Sequence, residues 1–91
     1  MFVVVAYDIS DDKRRTRAMR LLLSYGQRVQ YSVFECDLTP QQYAALRREL
    51  ASRIDRRVDS VRYYALCRSC VAAVEVANSP PVATSPLLYL V

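Results

Sequence analysis

Asp8 closes an apolar run, "FVVVAYD", and two residues further on comes "DDKRRTR", positions 11–17. Strand alternation sets Phe2, Val4, Ala6 and Asp8 on one face and Val3, Val5 and Tyr7 on the other. A carboxylate at the end of an apolar row needs water, a hydrogen-bonding partner or a metal, although an aspartate is also an ordinary start for a turn. Lys13, Arg14, Arg15, Arg17 and Arg20 then crowd the first half of a helix. The positive end of a helix dipole disfavours cations, so local stability does not account for them. Asp11 and Asp12 offset part of that charge. A phosphate would supply the rest, because helix starts and guanidinium forks both attract it; a solvated basic face is the alternative. Arg28 and Arg62 extend the same basic surface. These are the ingredients of a metal-assisted phosphodiester site, where an oxygen-bound cation, Mg²⁺ or Mn²⁺, activates water and offsets developing charge. One aspartate holds magnesium poorly. Two copies of Asp8 across a two-fold axis would hold it better.

The composition narrows the chemistry further. The chain has 91 residues and no histidine, so histidine catalysis and histidine ligation are excluded. Any metal is held by oxygen or sulfur. At 53% hydrophobic the chain is too apolar to be disordered. A core of this size is marginal alone, which predicts a homodimer. The net charge is +4, and twelve of the thirteen basic residues are arginine, the side chain best shaped for phosphate. No apolar run is long enough to span a bilayer, and the start carries no basic leader. With three cysteines, a reducing cytoplasmic setting is expected. "CRSC", Cys67 to Cys70, has zinc or redox spacing, but with Cys36 it gives only three thiols against the four ligands of a structural zinc. A zinc shared between two chains is one reading. Small residues filling a turn between two strands is the other.

The elements that must position these residues follow from periodicity. Residues 2–9 read as a strand, apolar throughout and therefore central and covered. Residues 13–25 read as a helix capped by Ser10 or Asp11, with Gly26 after its end and Ala18, Leu21, Leu22 and Tyr25 as its buried stripe. Residues 28–38 alternate like one long strand, or two strands meeting near Tyr31 and Ser32. Thr39, Pro40 and Gln42 open a second helix with a capping box, and Tyr43, Leu46, Leu50 and Ile54 form its stripe. Residues 55–59 connect to a strand at 60–66. After the "CRSC" turn, "VAAVEVA" reads as a further short strand. The order predicts an α+β, ferredoxin-like βαββαβ sandwich. Residues 1–78 form the domain and 79–91 a proline-containing tail, whose "LLYLV" is able to add to a sheet edge.

"YDISDDKRRTR", "GQRVQYSVFECDL" and "VRYYALCRSC" together resemble the CRISPR-associated Cas2 family, from about Phe2 to Val76. The family is described as small metal-dependent endonucleases that accompany the spacer integrase and act on single-stranded RNA or double-stranded DNA. The resemblance implies a ferredoxin-like fold in a symmetric dimer, with a C-terminal strand exchanged or added across it, and a bend within "QYSVFE". It places the metal on Asp8. It assigns supporting roles to Tyr7, Arg15, Arg17, Arg28 and Phe34, with the three arginines on phosphate and the two aromatics shaping the site.

Three functions compete. The first is a Mg²⁺-dependent endonuclease in spacer acquisition, with Lys13, Arg14, Arg15, Arg17, Arg20 and Arg28 gripping nucleic acid. The second is a non-catalytic dimeric adaptor that grips duplex backbone and bridges the integrase, needing the basic face but not Asp8. The third, a metabolite-binding regulatory module, is disfavoured because ligand loops usually want glycines and the chain has one.

Overall fold

A computed structural model describes residues 1–77. The strand β1 (Phe2–Asp8) leads to helix α1 (Asp12–Leu23), then to the hairpin β2 (Gln27–Gln30) and β3 (Val33–Asp37). Helix α2 (Pro40–Ala51), strand β4 (Ser60–Leu66) and the short helix α3 (Arg68–Ala72) complete the described chain. The sheet runs β2-β3-β1-β4, with every neighbouring pair antiparallel. This is the expected α+β, ferredoxin-like βαββαβ arrangement. Exchange of a C-terminal strand, and "LLYLV" itself, fall outside the described residues.

Both long helices cover one face of the sheet. Val3, Val5 and Tyr7 of β1 and Phe34 and Cys36 of β3 pack with Ala18 and Leu22 of α1 and Leu46 and Leu50 of α2. Tyr25 donates to Glu49 at 2.8 Å and ties the end of α1 to α2. The opposite face carries Val4, Ala6 and Asp8, with Tyr64 and Arg62 paired beside them, and it is only partly covered. β1 is therefore central as expected, but covered on one side. Residue alternation separates the two faces without saying which of them the helices take.

Local chemistry sets the helix ends. Asp11 caps α1 by accepting from the Arg14 amide at 2.9 Å, so it and not Ser10 is the cap. Thr39 and Gln42 form the expected reciprocal capping box, at 2.9 and 3.1 Å. α1 stops two residues earlier than its apolar stripe, because Ser24 turns its hydroxyl back to the Leu21 carbonyl at 2.6 Å. Residues 28–38 resolve into two strands, with Tyr31 and Ser32 as the turn.

One expected strand is absent. "VAAVEVA" begins inside α3 and continues as non-strand chain. Cys67 stands at the N-cap position, so "CRSC" starts a helical turn instead of reversing into a hairpin. Val71 is buried, whereas Val74 and Val76 are exposed. One helical turn thus buries the one apolar side chain that has somewhere to go, and the apolar alternation finds no neighbouring strand among the described residues.

Arg14 locks the start of α1 to the approach to β4. Its Nε and Nη2 donate to the two oxygens of Asp59, at 2.8 and 3.3 Å. Asp59 also accepts the Asp55 amide at 2.8 Å, and its side chain is fully buried. Removing either partner of a buried ion pair leaves the other without its counter-charge, which is among the costlier changes a small domain meets. Asp59→Ala is expected to lower Tm by on the order of 10 °C. The Arg14 hydrogen bond holds the Asp59 carboxyl below its ordinary value, so its stabilisation is complete above about pH 5 and is lost as pH falls through the folded value, under about 3.9. Thermal melts from neutral to acid pH check this. The wild-type advantage over Asp59→Ala should shrink below about pH 4, and curves that stay parallel would remove the pair from the account.

Candidate functional site

The end of β1 gathers most of the chemistry. Asp8 is exposed on the open face, opposite Ser60 of β4 in register. Ala6, Tyr7, Asp8, Ser60 and Arg62 line a shallow depression of about 240 Å³. Among the described residues no three acidic, cysteine or histidine side chains come together as a metal-binding group. One exposed carboxylate beside a hydroxyl offers hard oxygen donors. That set suits a hard cation such as Mg²⁺, which keeps several of its own waters.

On the other face, Tyr7 and Phe34 stack with ring centroids 6.2 Å apart and floor the strand end. Burial raises the Tyr7 phenol against the lowering effect of Arg28 and Arg15. Tyr7 therefore stays protonated near neutral pH, and its hydroxyl points towards the Tyr31 carbonyl at 3.5 Å.

Arg15 holds the loop that follows Asp8. Its Nη1 donates to the carbonyls of Ile9 and Ser10, at 3.2 and 3.1 Å, and its Nη2 reaches Asp12. Arg28 donates twice to the Tyr31 carbonyl, at 3.1 and 2.8 Å. Both guanidinium groups also lie over the Tyr31 ring, at 6.0 and 5.1 Å from its centroid. Tyr31 is thus the hub joining Arg15, Arg28 and Tyr7, yet it is 66% exposed. Sequence reading placed it only at a strand junction. The available signal was a large aromatic at a turn three residues from an arginine.

The other basic residues sit elsewhere. Lys13, Arg17 and Arg20 line the outer side of α1, along a depression of about 350 Å³. Arg53 joins Arg17 and Arg20 in a neighbouring one. Arg14 departs from the expected basic face, because its guanidinium is committed to buried Asp59. The single basic cluster read from the sequence divides into an Arg15–Arg28–Tyr31 group at the strand end, a Lys13–Arg17–Arg20 stripe on α1, and Arg62 beside Asp8.

Residues 1–74 match the family model described as CRISPR associated protein Cas2. A relative from Chloroflexus aurantiacus, named CRISPR-associated endoribonuclease Cas2 1, is 45% identical over 100% of both chains. One from Synechocystis sp., named CRISPR-associated endoribonuclease Cas2 3, is 42% identical over 91% of this chain and 90% of its own. The crystal structure of Streptococcus pyogenes Cas2 superposes with a TM-score of 0.76 at 37% identity, covering 86% of this chain and 100% of that one. A chain of a partial Cas6-RT-Cas1–Cas2 complex superposes with a TM-score of 0.74 at 29% identity, covering 90% and 96%. With its βαββαβ fold, its strand-end aspartate and a family match across nearly all of the described residues, the chain belongs to the CRISPR-associated Cas2 family.

Proposed function

We propose that this protein is a CRISPR-associated, metal-dependent endoribonuclease that works in spacer acquisition as a homodimer beside the spacer integrase. The observation that carries the reading is Asp8, an exposed carboxylate at the end of β1 whose following loop is pinned by Arg15. Relatives named endoribonucleases and a solved complex containing Cas1 support it. Two copies of Asp8 would hold Mg²⁺ or Mn²⁺ between them. Such an ion, when bound, supplies an activated water and offsets the charge that develops on the phosphate. The chain's own groups do the rest. Arg15 fixes the backbone after Asp8, and Tyr7 and Phe34 keep the strand end rigid. Arg17, Arg20, Arg28 and Lys13 attract the phosphate backbone, and Tyr31 offers a ring for a nucleobase to stack on.

Labelled single-stranded RNA and duplex DNA, incubated with Mg²⁺ or with a chelator, test the reading. RNA cleavage that requires the metal supports it. Tight binding with no cleavage across pH and metals would move the protein to the adaptor role. That second reading draws on one observation, the Lys13–Arg17–Arg20 stripe, which does not include Asp8. The two substrate classes also separate at Tyr31. Tyr31→Ala should weaken single-stranded RNA binding about 5- to 100-fold, while Tyr31→Phe and duplex binding change little. Arg28→Ala should reduce the salt slope for a single strand by about 0.7. Equal losses on single and double strands would contradict a stacking role for Tyr31.

A further inference from the structure

The Cys67–Cys70 pair is used by none of this. Both cysteines are exposed and free, and their sulfurs lie 3.5 Å apart across the first turn of α3. The Ser69 hydroxyl lies 3.1 Å from the Cys67 sulfur. This contact, together with the backbone N–H and the thiol of Cys70, lowers the Cys67 thiol to about 7. Cys70 moves the opposite way, raised chiefly by its hydrogen bond to Cys67. The pair thus holds one sulfur ready to attack and a second beside it, still carrying its proton. Cys36 is the internal contrast: it is fully buried, and burial pushes its thiol up to about 11.

We propose that Cys67 and Cys70 form a thiol–disulfide exchange site, which closes to an intrachain disulfide when a low-molecular-weight disulfide is presented to it. The Cys67 thiolate attacks one sulfur of that disulfide. The old sulfur–sulfur bond breaks, a mixed disulfide forms on Cys67, and the departing thiolate takes up a proton. Cys70 then loses its proton, and its sulfur attacks the Cys67 sulfur, expelling the second thiol. The pair gives up two electrons and two protons, and the small disulfide is reduced to two thiols. Cys67 leads because an attacking thiol is most effective when its pKa lies near the ambient pH. Relative to an ordinary thiol of about 8.5, its larger thiolate fraction outweighs its lower nucleophilicity by about threefold at pH 7.

Oxidised glutathione is the probe, added to the full chain under native conditions and followed by intact mass. The wild type should lose two hydrogens and retain no glutathione. Trypsin cuts after Arg68, between the two cysteines, so the closed pair should appear as two joined peptides. Cys70→Ser should stop at the mixed disulfide, with one glutathione held on Cys67. Cys67→Ser should react at least about threefold more slowly at pH 7. Glutathione retained on the wild type, chains coupled to one another, or modification at Cys36 would each overturn the proposal. Both replacements are at exposed positions, and far-ultraviolet circular dichroism confirms that each variant is folded before it is scored. None of these outcomes depends on nuclease activity.

Discussion

Asp8→Asn is expected to lower metal-dependent RNA cleavage at least about 100-fold while leaving RNA affinity within about twofold. Asparagine keeps the size of the side chain and one oxygen but removes the negative charge that a hard cation requires. The residue is exposed at the strand end, so the substitution opens no cavity and Tm should not move. Binding survives because the cationic groups lie elsewhere, on α1 and beside Tyr31. Initial cleavage rates and filter binding on the same preparation separate the two effects. A variant that cleaves like the wild type would reduce Asp8 to a strand-ending turn residue.

Gly26→Ala should cost on the order of 3 kcal/mol, or roughly 10–20 °C of Tm for a domain this small. The reason is space. A β-carbon built on Gly26 lies 2.5 Å from the Cys36 sulfur and 2.9 Å from the Cys36 α-carbon, and closer still to the Glu35 carbonyl oxygen. Two of those three atoms are backbone of β3, an inner strand of the sheet, and they cannot swing aside. Relief requires either the end of α1 to lift or the β2–β3 pairing to open. Removing the sulfur with Cys36→Ala leaves the two backbone contacts in place, so the double variant should not recover. Thermal melts decide this, and a Gly26→Ala protein melting within a few degrees of wild type would show that the close approach is not real.

What the sequence made legible was largely what is local and periodic. The Thr39–Pro40–Gln42 box, the Asp11 cap and the apolar stripes of both helices are short-range patterns, and each appears where its chemistry requires. Gly26 was legible as a helix end, but its closeness to β3 was not, because that contact joins segments ten residues apart in chain order. The Tyr31–Ser32 turn carries no glycine or proline, so composition left the hairpin undecided. "VAAVEVA" misled for the converse reason, since alternation without a partner strand gives no sheet.

The candidate site residues are short-range features of the sequence, but their grouping comes from the fold. Tyr7 stacks on Phe34, and Arg15 and Arg28 gather over Tyr31, while Asp8 stands on the opposite face of β1 beside Ser60 and Arg62. Arg14 looked like its neighbours on α1, but helical rotation turns it towards Asp59, 45 residues away. No periodic pattern encodes an ion pair over that distance.

We propose that the Asp8 carboxylates of two chains share one hard cation. Counting bound Mn²⁺ by electron paramagnetic resonance, on wild type and Asp8→Asn at matched protein concentration, tests it most directly. One ion for every two chains is expected in the wild type and none in the variant, with a two-chain assembly by sedimentation in both. A full ion on every chain, or a site that survives Asp8→Asn, would contradict it.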